Sequence, residues 1–370
     1  MSAPRARPRR VLMTADAVGG VWHYALELAR GLAASDIEVV LAVLGDRPSP
    51  EQELAAEGIE GLTLVHGAFA LEWMPGADRD LNAAGSWLLD LQKAFAPDLI
   101  HLNGFAHATL PWQAPVLVVA HSCVLSWWRA VHDEEAPADW AAYRRRTRAG
   151  LRAADLVVAP TRAYLEQVQA LYGPLPRALC IWNGCAAPEP ILAAKEPLIF
   201  AAGRIWDKGK NLQALAAVAP RLAWPLAIAG AGAPPHGRGA NAPWLGPLSA
   251  DAMQRWYARA AVFVSPARYE PFGLAALEAA MAACALVLAD LPTLRELWDD
   301  AALFVPPDDP DQLVSALNAL ADDPELLSSL GALARSRAEG YSAARMTAGY
   351  LDAYAGLVAA PRRIAAALAS

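Results

Sequence analysis

Cysteine is scarce in this chain of 370 residues, and Cys123, Cys180, Cys185 and Cys284 show no C-x-x-C spacing. This pattern argues against a disulfide framework or a zinc site and favours free thiols in a reducing compartment. No run reaches about 18 uninterrupted apolar residues, so we expect no membrane-spanning helix. The basic N-terminus has only a short apolar run before Asp16, which predicts a disordered tail rather than a signal peptide.

Charge is also low, at 19% of residues against 55% hydrophobic residues. This composition excludes a disordered chain and allows a large buried core. The formal net charge of −7 argues against a nucleic-acid partner. We expect a cytoplasmic protein whose length suits two domains.

Short apolar runs alternate with longer helical patterns along the chain. "RRVLMTA", "IEVVLAVLG" and "ADLVVAP" are typical of buried strands, and segments such as "GVWHYALELARGLAAS" are typical of helices. Strands separated by helices predict an α/β fold with parallel sheets covered on both faces. A second series begins near residue 198, after the proline-rich linker Asn183–Pro197. We therefore predict domains at 1–190 and 191–345, and a helical segment at 346–370 that packs back across them.

Two glycine- and cation-bearing turns follow predicted strands. Gly19 and Gly20 stand between a strand and a helix, where a backbone can approach an anion, although a plain strand-to-helix turn is the alternative. In "AAGRIWDKGKN", Arg204 follows a strand, and Lys208 and Lys210 come just after it. Such cations suit a diphosphate, whereas the alternative is a solvated loop. The two loop lysines are half of the four lysines in the chain.

The segment "RYEPFGLAALEAA" carries two glutamates eight residues apart, Glu270 and Glu278. Its Pro-Phe-Gly turn precedes a strong helix former, so the amides of Phe272, Gly273 and Leu274 should lie at a helix N-terminus. These amides can donate to an anion, and two carboxylates can accept hydrogen bonds from the hydroxyls of sugars and riboses. Helix capping or surface exposure is the alternative for each glutamate alone.

At these residues the sequence resembles a known family. "EPFGLAALE" resembles the E-x7-E motif of retaining glycosyltransferases of family 4, the group 1 class with the GT-B fold. "GGVWHYALELARGL", "ADLVVAPTRAYLEQV", "IWNGC" and "GRIWDKGKN" are similar to further elements of that family. The resemblance covers nearly the whole chain. It implies two facing Rossmann-like domains with a central cleft.

The resemblance implies a role for each matching residue. Arg204 and one loop lysine would bind the diphosphate of a nucleotide-sugar donor. Lys208 is preferred because Gly209 follows it, but Lys210 stays open. Glu270 would bind the donor sugar, and Glu278 would bind the ribose. His121 would lie near the transferred sugar, although a structural role is the alternative for a single histidine. The remaining residues are the amides of Phe272, Gly273 and Leu274, and Gly19 and Gly20 near the phosphates or the acceptor.

The resemblance also implies no metal and no bound cofactor, with a carbohydrate or lipid-linked acceptor. Asp78 and Asp80 fit D-x-D but lie in a polar loop without further carboxylates. An arginine-rich segment, 144–152, could rest on the inner membrane or form a solvated helix face. Trp127 and Trp128 could stack on a sugar acceptor or simply pack.

Two other functions compete with this interpretation. A nucleotide-sugar epimerase can share a two-domain architecture, but no acid/base set for a sugar ring is apparent. A non-catalytic nucleotide-sugar binding protein is the second alternative. The sequence does not indicate the nucleotide, the sugar or the oligomeric state.

Overall fold

The first domain is a parallel α/β layer structure in this computed structural model, which describes residues 7–74, 76–187, 194–232 and 243–359. Its strands have the spatial order β3-β2-β1-β4-β5-β6-β7. The strands are β1 (Arg10–Asp16), β2 (Glu38–Leu44), β3 (Leu62–Gly67), β4 (Leu99–Leu102), β5 (Val116–Val119), β6 (Leu156–Ala159) and β7 (Ala178–Cys180). The helices are α1 (Gly20–Ala33), α2 (Pro50–Glu57), α3 (Asp78–Phe95), α4 (Val124–His132), α5 (Ala141–Ala153) and α6 (Arg162–Tyr172).

The second domain repeats this plan with a parallel sheet in the order β12-β11-β10-β8-β9. Its strands are β8 (Glu196–Ala202), β9 (Leu226–Ala229), β10 (Ala260–Ser265), β11 (Ala285–Ala289) and β12 (Leu303–Val305). The helices that follow are α7 (Leu212–Val218), α8 (Ala250–Arg259), α9 (Leu274–Met281), α10 (Pro292–Trp298), α11 (Pro310–Asp322), α12 (Pro324–Ala338) and α13 (Ala343–Ala359). The predicted α/β class with two Rossmann-like domains is confirmed.

Helices cover both faces of each sheet, so the central strands are buried on both sides. Strand β1 has the burial pattern of a double-sided core strand, with its five inner residues buried. These central strands could be predicted from the sequence because strands buried on both faces are continuous apolar runs. The sequence analysis missed β3 and β7, which are edge strands with largely half-buried or exposed residues.

The C-terminal helix α13 leaves the second domain and packs on α1 of the first, as predicted. Met346, Tyr350 and Tyr354 join the core that contains Trp22. The two helices cross closely, since a Cβ on Gly31 would lie 2.0 Å from Thr347 Oγ1. The predicted boundary at residue 190 falls outside the described residues and stays a prediction.

Candidate active site

The glycine turn of the first domain (Gly19 and Gly20) contacts the cation loop of the second domain, the loop 204–210 that carries Arg204 and the two lysines. Gly19 has φ +79°, and a Cβ there would lie 2.8 Å from Arg204 Nη1. A Cβ on Gly20 would lie 3.5 Å from a methyl group of Leu274, the first residue of α9. The structure therefore brings together predicted site residues that are more than 180 positions apart in sequence.

Arg204 is held at the end of β8 by a neighbouring carboxylate. Its Nη2 donates to Asp207 Oδ2 at 2.7 Å, and its guanidinium lies 5.3 Å from the centre of the exposed Trp206 ring. Arg204 Nε is buried without a hydrogen-bond partner among the described residues. The sequence analysis missed Asp207, although its place three residues after Arg204 in a strand-end loop could have indicated it.

Lys210, not the preferred Lys208, pairs with Glu270. Lys210 Nζ donates to Glu270 Oε2 at 2.5 Å, with 22% of the lysine and 14% of the glutamate side chain exposed. Lys208 is exposed and has no ion-pair partner in the described part of the chain. Asp207 accepts from the Gly209 amide and Asn211 has φ +55°, and this turn directs Lys210 to Glu270. Which of the two lysines binds a diphosphate stays a prediction.

Helix α9 begins beside this ion pair. Gly273 caps it with φ +91°, a left-handed conformation that favours glycine. Phe272 is buried with its ring edge-on to Tyr341. The backbone of Glu270 is fixed by Thr293, whose hydroxyl donates to its carbonyl at 2.6 Å. The first N–H groups of α9 have no acceptor within the helix, so this end of α9 can bind an anion.

Glu278 lies further along α9 and faces α1 of the first domain. Burial raises the pKa of its carboxyl from an ordinary value of 4.5 to about 7. The Tyr257 hydroxyl acts in the opposite direction, and the charge of Glu27 on α1 adds to the rise. A desolvated carboxylate in this position gains from any ligand that donates hydrogen bonds to it.

His121 belongs to a buried polar network of the first domain. Its Nε2 lies 2.8 Å from Asn103 Oδ1, which also lies 3.2 Å from His101 Nε2. His101 Nδ1 is 2.6 Å from the hydroxyl of Tyr354 on α13. Burial lowers the pKa of His121 to about 3, so its imidazole is neutral. Asn103 donates from Nδ2 to the Thr14 carbonyl, so its Oδ1 faces His121, whose proton is on Nε2.

Asp16 ends β1 in the same cleft, and the sequence analysis missed it. Burial raises its pKa to about 6, while the Val18 amide and the Arg204 charge act to lower it. The signal available in the sequence was a carboxylate at a strand end, three residues before Gly19.

Direct hydrogen bonds join the two domains around the cleft. Trp127 Nε1 on α4 donates to Asp207 Oδ1 at 2.9 Å, and Ser126 Oγ lies 2.8 Å from the Tyr269 hydroxyl. Glu296 on α10 accepts from the first amides of α6 and from Trp182 Nε1. Trp127 thus contacts the cation loop of the second domain, and its stacking on a sugar stays a prediction.

The arginine-rich segment is helix α5, and several of its arginines have partners within the protein. Arg146 pairs with Asp78, and Arg148 Nε donates to the Tyr172 carbonyl at 3.0 Å. Asp80 accepts from the Ala70 amide, so both acids of the D-x-D have structural contacts. Within the described ranges, there is no group of three or more metal-ligating side chains and no helix long and apolar enough to cross a membrane.

Two family models match successive parts of the chain. The glycosyltransferase family 4 model matches residues 18–186, and the group 1 glycosyl transferase model matches residues 196–323. The chain is 27% identical to a D-inositol 3-phosphate glycosyltransferase of Streptomyces bingchenggensis, over 97% of this chain and 91% of that protein. It is 26% identical to a glycogen synthase of Mycobacterium tuberculosis, over 86% of each chain.

Solved structures share the fold at lower identity. A sucrose-phosphate synthase from Thermosynechococcus elongatus superposes with a TM-score of 0.80 at 19% identity, over 95% of this chain and 100% of that one. Anabaena Alr3699/HepE in complex with UDP and glucose superposes with a TM-score of 0.73 at 13% identity, over 94% of this chain and 100% of that one. The motifs, the two matched models and this architecture agree, and the chain belongs to the group 1 glycosyltransferases with the GT-B fold.

Proposed function

We propose that this glycosyltransferase moves a sugar from a nucleoside diphosphate to a carbohydrate acceptor, with retention of anomeric configuration and without a metal ion. The contact of Gly19 with Arg204, beside the Lys210–Glu270 pair, carries the proposal. These contacts support the proposal because one loop brings a cation to the glycine turn and another to Glu270, four residues before α9 begins. The solved relative in complex with UDP and glucose supports a nucleotide-sugar donor.

Arg204, Lys210 and the amides at the start of α9 would stabilise the leaving diphosphate. The bond between the anomeric carbon and the diphosphate oxygen breaks, and its electron pair goes to that oxygen. Positive groups held in place before the reaction stabilise this developing charge, which is usually the largest contribution to catalysis. In this proposal the two side chains supply the charge that a metal ion supplies in other enzymes.

Glu270 would hold the donor sugar, and Glu278 would hold the ribose. The Lys210 contact and the fixed backbone of Glu270 keep its carboxylate at the cation cluster. The acceptor oxygen would bond to the anomeric carbon on the face that the diphosphate leaves. The acceptor proton would pass to a leaving phosphate oxygen, so no protein nucleophile is required.

The test is turnover with UDP-, GDP- and ADP-sugars, following nucleotide release and the anomeric configuration of the product by NMR. Glu270→Ala should abolish transfer while the fold is kept, and Glu325→Ala, an exposed glutamate on α12, is the control. EDTA should leave turnover unchanged. Near-normal turnover of Glu270→Ala, or a product of inverted configuration, contradicts the proposal.

The two loop lysines provide a matched pair for the diphosphate contact. Lys210→Ala should weaken nucleotide binding about tenfold or more, because a charge-assisted hydrogen bond contributes about 1.5–3 kcal/mol. Lys208→Ala removes the same charge from an exposed site two residues away and should have a much smaller effect. Calorimetric titration measures both, and equal losses would contradict the role of Lys210.

A further inference from the structure

A second cavity opens in the first domain beside the proposed donor site. It measures about 520 Å³, including the part open to solvent, and lies at the carboxyl ends of β1, β2 and β4. Its polar and aromatic lining includes Thr14, Asp16, Glu72, Trp73, Asn103 and His107. Asp16 links the two sites, since the Arg204 charge acts on its carboxyl.

The cavity has acids in its wall, and no lysine or arginine lines it among the described residues. Asp16 and Glu72 are the acids, and burial lowers the pKa of His107, so its imidazole is neutral. A phosphate group on an acceptor would therefore meet carboxylates without a lining cation to compensate.

The nearby cations are already paired. Arg204 is bound to Asp207, and its proposed role is with the donor diphosphate. Burial raises the pKa of the Glu72 carboxyl, while its amide hydrogen bonds and the Arg146 charge act to lower it. Arg146 also forms an ion pair with Asp78. Neither is a free counter-charge for a second anion in this cavity.

Glu72 also occupies the backbone donors that an acceptor phosphate could use. Its Oε2 accepts from the Ala106 amide at 2.7 Å, and both carboxylate oxygens lie within 3.2 Å of the Phe105 amide. These amides stand at the start of the short 3₁₀ helix Ala106–Thr109. The protein's own carboxylate thus fills the place of an external anion.

The remaining lining suits a hydroxyl-rich ligand. The carboxylate oxygens of Asp16 and Glu72 can accept hydrogen bonds from hydroxyls. Trp73 is 40% exposed and offers an apolar ring in the wall. An aromatic surface together with a few placed polar groups is the usual composition of a small-molecule site.

We propose, on the basis of the proposed function, that this cavity binds the acceptor and that Glu72 makes it select an uncharged polyhydroxy compound over its phosphorylated form. This acceptor class differs from the one in the name of the D-inositol 3-phosphate glycosyltransferase relative. Glu72 acts as a specificity determinant because it supplies negative charge and blocks the amides.

The test is calorimetric binding of two matched pairs, inositol with inositol 3-phosphate and glucose with glucose 6-phosphate. Each titration is made with the wild-type protein loaded with whichever of UDP, GDP or ADP binds it. The neutral member should bind at least tenfold more tightly than its phosphate. Glu72→Ala should raise the affinity for the phosphate at least tenfold, because it frees the amides of Phe105 and Ala106.

Two further variants keep the test decisive if Glu72→Ala does not fold. Glu72→Gln retains an oxygen for the amides but removes the charge, and it should narrow the preference for the neutral ligand. Trp73→Ala changes a partly exposed side chain. It should weaken binding of the neutral ligand and leave nucleotide binding unchanged.

Wild-type protein that binds the phosphorylated member as tightly, or binds neither member, overturns the inference. Nucleotide binding by the same samples separates the two proposals. If a nucleotide binds and the neutral preference is missing, only the acceptor inference fails. If no nucleotide binds, the proposed function fails and this inference fails with it.

Discussion

Replacing Glu278 by Gln should stabilise the protein above neutral pH. Burial raises the pKa of this carboxyl to about 7, with Tyr257 opposing the rise and Glu27 adding to it. A carboxyl with a raised pKa in the folded state costs stability once it is ionised. Glutamine has nearly the same shape and carries no charge, so it removes this cost.

The expected magnitude follows from the two pKa values. A rise from 4.5 to about 7 corresponds to about 3 kcal/mol, since each pH unit is worth about 1.36 kcal/mol. Below pH 4.5 the carboxyl is protonated in both states and contributes nothing. Between pH 4.5 and 7 the unfolded chain loses the proton while the folded chain keeps it, so the free energy of unfolding falls. Above pH 7 the cost is constant.

The assay is denaturant unfolding of wild type and Glu278→Gln in steps from pH 4 to pH 8.5. The difference in unfolding free energy should grow from pH 4.5 to 7 and level off at up to about 3 kcal/mol in favour of the variant. Glu57→Gln, an exposed glutamate on α2, is the control and should show a much smaller pH-dependent difference. A difference that is constant with pH, or a less stable variant at pH 8, would refute the reasoning.

The same carboxyl links nucleotide binding to protons if Glu278 holds the ribose. Hydroxyls that donate to a carboxylate favour its charged form and lower its pKa. Nucleotide binding near pH 6.5 should therefore release protons, and affinity should rise between pH 5 and 7. Calorimetry in two buffers of different ionisation enthalpy measures the release, which Glu278→Gln should abolish. Unchanged release in that variant would assign the proton to another group.

Two further predictions concern the turn and the buried network. Gly19→Ala and Gly246→Ala each place a side chain at positive φ, and each should lower the free energy of unfolding by about 1–2 kcal/mol. Only Gly19→Ala should also weaken nucleotide binding, because a Cβ at Gly19 meets Arg204, whereas a Cβ at Gly246 meets open space. Denaturant or thermal unfolding and calorimetric titration measure the two effects. Tyr354→Phe should cost about 1–3 kcal/mol in denaturant unfolding, because it leaves a buried nitrogen of His101 without its partner; an unchanged midpoint would contradict that pairing.

The sequence predicted the parts of the site that local patterns encode. Gly19, Arg204 and Glu270 each follow a predicted buried strand, and the carboxyl ends of parallel strands lie at one edge of a sheet. The helix of Glu278 was predicted from its alanine and leucine content. These features depend on a few neighbouring residues, so one sequence is enough to indicate them.

Which of the two loop lysines pairs with Glu270 could not be predicted in this way. It depends on loop geometry, in which the Asp207 side chain binds the Gly209 amide and Asn211 adopts a left-handed conformation. An arginine-to-lysine spacing measures chain length and contains no information about the direction of a side chain.

Long-range partners are likewise invisible to local reasoning. His121 was predicted as a site residue, but its buried network reaches Tyr354, more than 200 residues later, through Asn103 and His101. Tyrosines on a C-terminal helix are typical of core packing, and nothing in their spacing indicates a hydroxyl directed at a histidine. The network shows why α13 must return to the first domain for this part of the cleft to be complete.

The position of Arg204 depends on both domains. Gly19 of the first domain lies against its guanidinium, and Asp207 holds it while accepting a hydrogen bond from Trp127 on α4. Separation of the domains would remove the Gly19 contact and the Trp127 bond together. A ligand that binds Arg204 more tightly when the domains are in contact than when they are separated shifts the equilibrium toward contact. The shift in free energy equals the difference between its two binding free energies. If Arg204 binds the diphosphate as proposed, diphosphate binding and domain closure are thermodynamically coupled through this residue.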